Sequence, residues 1–170
     1  LVMSCRSSQR TDSQKQPKLS QDEFFELDWQ RQVEYLESVT SSNLVRGDKE
    51  IISAALSDDD SAVVIAALET ILRLELDAYL PRATEFLTSD DPITRWRALL
   101  IIESMSSDIS ILPSIIKLTT DPEWLVREAA YRTVRKFKAE RGNKAYFYTV
   151  RAIGYGGQSK QCAPAMGRAA

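Results

Sequence analysis

The chain has no histidine. That removes the commonest general base and the commonest imidazole ligand for a metal near neutral pH, and most catalytic templates fail at this step. Cysteine is almost as scarce, with Cys5 and Cys162 alone, one toward each end of 170 residues. Two such residues complete no zinc site without other ligands and make no disulfide framework. No apolar run approaches the roughly 20 residues that a membrane-spanning helix needs. Glycine and proline number six each and alternating apolar and polar runs are few, so helix is the default class.

Positive charge is short over most of the length. Residues 1–126 carry 12 Lys and Arg against 22 Asp and Glu, whereas residues 127–170 carry 10 against 2, so a net charge of -2 divides into -10 and +8. Such a dipole orients a protein toward an anionic surface, or sets one copy's basic end against another's acidic flank; otherwise it is two solvated faces. A composition of 44% hydrophobic and 27% charged residues suits one globular domain with a real core.

The stretch LVMSC at residues 1–5 resembles the end of a bacterial lipoprotein signal, the lipobox, in which an apolar segment closes on a small residue before a lipidated cysteine. Val2 stands where leucine is commoner, and the charged and hydrophobic parts of such a signal would lie upstream. From Arg6 to Lys18 the chain is rich in Ser, Gln and charge, as a flexible tether is. The resemblance implies lipidation of Cys5 and a lipid anchor on a bacterial envelope membrane without any spanning helix. A cytoplasmic protein with a disordered leader starting at Met3 is the alternative.

Ser20 with Glu23 three residues on reads as a capping box, and Phe25, Trp29, Val33 and Leu36 follow at helical spacing. This predicts one capping helix over about residues 21–39, its large aromatics closing an otherwise open end. Beyond it the chain repeats. Leu80-Pro81 and Leu112-Pro113 open short helices, a place where a proline's missing N–H costs nothing. Asp91-Pro92 and Asp121-Pro122 open the helices that follow, with Arg95 and Arg127 at one offset of 32 and Ala98 and Ala130 at the same offset. Ala66 lies 32 before Ala98, which adds an earlier pair formed by residues 48–56 and 57–74.

A period of about 32 residues holding two helices and an Asp-rich turn is the mark of an α-solenoid of antiparallel helical hairpins, all-α, with about three repeats. Asp caps the second helix, Pro pre-sets its first turn and Ala lets hairpins approach. Asp91, Pro92, Asp121, Pro122 and Arg127 are therefore read as repeat-stabilising, with Arg127 reaching back to the Asp121 carboxylate. These segments, about residues 48–139, resemble HEAT repeats of the short kind found in phycobilin lyase subunits. The first repeat departs from the pattern, with Val63 where Arg is expected. The resulting division is a tether over 1–19, the capping helix and loop over 20–43, repeats over 44–153 and an irregular tail over 154–170. A fourth first helix is expected around residues 143–153, with its second helix lost to truncation or a frame shift, or replaced by a partner.

The resemblance implies a non-catalytic protein-binding scaffold or adaptor that needs no cofactor. The candidate binding residues are Arg95, Trp96 and Arg97 on one second helix and Arg132 and Arg135 on the next; Trp124 is weighed as an anchor against burial in the core. The aligned carboxylates Asp58, Asp59, Asp60, Asp90, Asp91 and Asp121 are read as helix caps rather than a cation site, because no spacing resembles a calcium loop. Deoxyhypusine hydroxylase resembles this architecture but builds a di-iron site from His-Glu pairs, which a chain without histidine cannot form. Two alternatives remain: a lyase-like or chaperone-like subunit, and nucleic-acid binding through the basic, aromatic stretch from Arg127 to Arg151. A pI near 5.3 weighs against nucleic acid.

Overall fold

The computed structural model describes residues 19–152, with side chains through residue 139. The described residues hold α-helices, short 3-10 turns and no strand: α1 (Gln21–Phe25), α2 (Trp29–Ser38), α3 (Arg46–Ala55), α4 (Ser61–Arg73), α5 (Leu80–Glu85), α6 (Pro92–Met105), α7 (Leu112–Lys117) and α8 (Trp124–Ala152). Residues 1–18, Cys5 among them, and the tail from residue 153 lie outside them, while Leu19, the last residue assigned to the tether, packs against the core.

Each start follows from a local signal. The side chains of Asp28, Asp60 and Asp91 accept backbone N–H groups at the starts of α2, α4 and α6, and Pro81, Pro92 and Pro113 occupy first turns. The Ser20–Glu23 capping box forms as expected, with Ser20 N–H donating to the Glu23 carboxylate at 2.7 Å. α4 ends on Glu75 at φ 52°, and the Leu76 N–H then reaches the Ile71 carbonyl at 3.0 Å, a Schellman closure on a residue other than glycine.

The helices stack in two rows. α2, α4, α6 and α8 pack successively on one another, while α3, α5 and α7 each back the inner helix that follows them, and α1 lies against α3. This is the expected α-solenoid, and its internal period is visible: α5 with its flanking 3-10 turns at Asp77–Tyr79 and Phe86–Thr88 recurs as α7 with turns at Ile109–Ile111 and Leu118–Thr120. Ala66, Ala67, Ala98, Ala129 and Ala130 are buried between the rows, where a methyl group lets helices close up. One apolar cluster runs from α1 through α4 to Ala83 of α5 and Ile101 of α6, and a second joins α6 to α8, with Leu80 and Phe86 bordering both.

The N-terminal cap differs from the single helix that the spacing predicts. The helical run breaks after Phe25, and Asp28 starts a new helix by accepting the Arg31 N–H at 3.0 Å. The cap is thus a short hairpin whose second member joins the inner row. The break also changes which aromatic closes the end: Phe24 is fully buried, with ring centres 5.5 Å from Phe25 and 5.8 Å from Tyr35, whereas Phe25 and Trp29 are exposed. Tyr35 donates to Asp48 at 2.6 Å, and Asp48 also accepts the Val45 N–H at 2.8 Å, so the buried carboxylate is satisfied. Burial and that carboxylate push the Tyr35 phenol well above its ordinary range. Farther along the seam, Arg73 and Thr70 of α4 donate to the Leu36 carbonyl at the end of α2, at 3.2 and 2.9 Å.

At the other end, α8 runs unbroken to Ala152. The fourth first helix expected around 143–153 is therefore a continuation of α8 and not a separate element after a turn; its side chains lie outside those described.

Candidate functional site

The second-helix arginines hold the stack together. Arg95 on α6 donates through Nη1 to the carbonyls of Ser89 and Asp90 at 2.8 and 2.9 Å, closing the turn that precedes its own helix. Its Nε and Nη2 then grip both oxygens of Asp121 at 2.8 and 2.9 Å, from the next hairpin, in a bidentate pair with side chains only 11% and 4% exposed. Asp121 also accepts the Glu123 N–H at 2.9 Å. Burial works against its charge, yet the Arg95 bond, the Glu123 N–H and the Arg95 and Arg127 charges hold its carboxyl below the usual range.

Arg127 makes the same turn-closing bonds one repeat later. Its Nη1 donates to the carbonyls of Asp121 and Pro122, both at 2.7 Å. The expectation that it reaches the Asp121 carboxylate is corrected, because Arg95 from the preceding hairpin already occupies both oxygens.

The remaining candidates divide in the same way. Arg97 of α6 pairs with Glu69 of α4 and lies 4.7 Å from the centre of the half-buried Trp96 ring. Arg132 of α8 bonds both oxygens of Glu103 on α6 at 2.6 and 2.7 Å, and Lys136 donates to the Glu103 carbonyl. Arg95, Trp96, Arg97 and Arg132 thus lie at seams between inner helices. Arg132 and Arg135 are the exposed members of the five, and Arg135 alone makes no bond among the described residues.

Among the described residues no further inner helix covers the face of α8 around Arg135. Trp124 and Tyr131 are 62% and 56% exposed on the face of α8 that points away from α6 and α7, and they line a groove with Arg127, Glu128, Arg132 and Arg135. Thirty-two residues earlier, Arg95, Leu99 and Glu103 correspond to Arg127, Tyr131 and Arg135. On α6 all three are covered or engaged: Arg95 by Asp121, Leu99 fully buried, Glu103 by Arg132. On α8 the same register is uncovered, and the Nε and Nη2 of Arg127 have no carboxylate among the described residues. Sequence reasoning left Trp124 and Tyr131 out of its binding set, although their seven-residue spacing on one helix was the signal available.

Of the acidic turn residues, Asp60 and Asp91 act as helix caps. Asp60 and Asp91 bond helix-start N–H groups at 2.8 and 2.6 Å, and Asp58 accepts the Asp60 N–H at 2.8 Å. Among the described residues no group of acids is arranged to hold a metal ion.

Residues 111–138 match the HEAT repeat. The match takes in α7, the Asp121-Pro122 turn, Arg127 and the start of α8 through Lys138, the hairpin that carries the open face. No curated protein and no solved structure matches the chain. HEAT repeats generally mediate contacts between proteins.

Proposed function

We propose that this chain is a non-catalytic protein-binding scaffold whose contact surface is the end face of α8, and that a lipid on Cys5 tethers it to a bacterial envelope membrane. The observation that carries the scaffold reading is the contrast between two equivalent faces, Arg95, Leu99 and Glu103 covered on α6 and Arg127, Tyr131 and Arg135 open on α8. Exposed aromatics beside arginines are the composition of binding hot spots. The positive sign favours an acidic protein surface.

Nucleic acid is less favoured because the pI is near 5.3 and Arg132 and Lys136 of the basic stretch are engaged with α6. A lyase-like or chaperone-like subunit calls for an apolar pocket, whereas the grooves on α8 are lined largely by charged side chains.

A photo-crosslinking residue placed at Tyr131 in the chain expressed from its complete reading frame should form adducts with protein. The same residue at Glu85, exposed on the outer row, should not. Adducts at both positions or at neither sink the α8 face as the contact surface. The tether has its own test: fatty-acid label should enter the wild type and vanish in Cys5→Ala, and a wild type that takes no label removes the anchor.

A further inference from the structure

We infer that the open face of α8 docks the N-terminal hairpin of a second copy of this chain, head to tail. This rests on the scaffold reading and names its partner. The two ends are opposite in charge: residues 21–38 carry six acids and one base, and residues 124–139 carry five bases and one acid.

The register of the inner row makes the match specific. The Glu123 carbonyl accepts the Arg127 N–H at 3.1 Å in the first turn of α8, and the Asp28 carbonyl accepts the Gln32 N–H at 3.0 Å in the first turn of α2. Aligning Glu123 with Asp28 places Asp121 on Glu26 and Arg132 on Glu37. Asp121 and Arg132 are the residues through which α8 and its turn pair with charged side chains of α6, Arg95 and Glu103. A second copy stacked as the next hairpin therefore presents Glu26 to the free edge of Arg127 and Glu37 to Arg135. Where α6 offers a carboxylate at Glu103, α8 offers a cation at Arg135, and the incoming residue changes sign accordingly. Glu26 and Glu37 are exposed and have no ion-pair partner among the described residues. Because the two surfaces differ, the contact is heterologous and propagates head to tail past the dimer, into a ring or an open chain of copies.

Sedimentation equilibrium of the full chain tests this. In low salt the average mass should rise with concentration past that of a dimer, and about 0.5 M salt should return it toward the monomer. Arg135→Glu and Glu37→Arg should each weaken association about tenfold or more, and the double variant with both changes should restore it. A monomeric wild type, association that stops at a closed dimer, or a double variant no tighter than the singles overturns the inference. Foreign adducts at Tyr131 together with a monomeric wild type would remove the second copy and keep the scaffold reading; no adducts and no association would remove both.

Discussion

Asp121→Ala should destabilise the fold by about 3–4 kcal/mol in chemical denaturation, the cost of leaving one member of a buried ion pair behind. The variant strips the bidentate partner from Arg95, whose side chain is 11% exposed, and leaves the Glu123 N–H without its acceptor. Arg95 keeps its bonds to the Ser89 and Asp90 carbonyls, which holds the loss toward the lower part of the range for such pairs. Removing the charge as well, in Arg95→Met with Asp121→Ala, should recover part of the loss, since no unpaired guanidinium then remains in the seam. A loss under about 1 kcal/mol for Asp121→Ala would show that the pair does not join the hairpins.

The same group sets an acid limb. Its folded pKa lies below the ordinary 3.8, so its contribution is complete above the unfolded value and is lost as pH falls from there through the folded value. Asp91 shifts in the same direction: burial opposes its charge, but the Thr94 hydroxyl and N–H, the Ile93 N–H and the Arg95 charge outweigh it. Stability of the wild type should therefore be flat near neutrality and fall below about pH 4. Asp121→Asn should show a shallower fall, with the Asp91 part remaining; an unchanged slope would remove Asp121 from the acid limb.

Phe24→Ala should cost about 3–5 kcal/mol, as fully buried aromatics do when truncated, while Phe25→Ala should stay within about 1 kcal/mol. The two are neighbours in sequence and opposites in environment. Phe24 has no exposure and packs edge-on against the Tyr35 ring, and Gln32 anchors that turn by donating its side-chain amide to the Phe24 carbonyl at 3.1 Å. A cavity there loosens the hairpin that closes the inner row, so the loss should appear first in amide exchange across α1 and α2, before the α6–α8 cluster opens. A larger cost for Phe25→Ala than for Phe24→Ala would mean that the cap packs as the sequence spacing suggests, and equal costs would contradict the burial contrast between them.

The contrast shows what a sequence reading reaches. Ser20 with Glu23, Asp91 with Pro92, and Pro81 and Pro113 announce their helices because capping and first-turn geometry act within three or four residues. The offset of 32 announces the solenoid because each hairpin buries its apolar face only against its neighbours. The cap escaped because Phe25, Trp29, Val33 and Leu36 keep helical spacing straight across a break that Asp28 imposes, and periodicity is blind to a change of helix that preserves it.

The sequence by itself determined the helical class, the repeat and most helix starts. Only the tertiary structure decided which charges remain for a partner. Arg95, Arg97 and Arg132 look like a basic surface along the chain, but their carboxylates come from Asp121, Glu69 and Glu103, about one repeat away in sequence. Which acid meets which arginine depends on how hairpins sit on one another, and several acids compete for each within the same turn. Stacking consumed those arginines and left Arg127, Tyr131 and Arg135 open, because α8 has no further inner helix against it among the described residues.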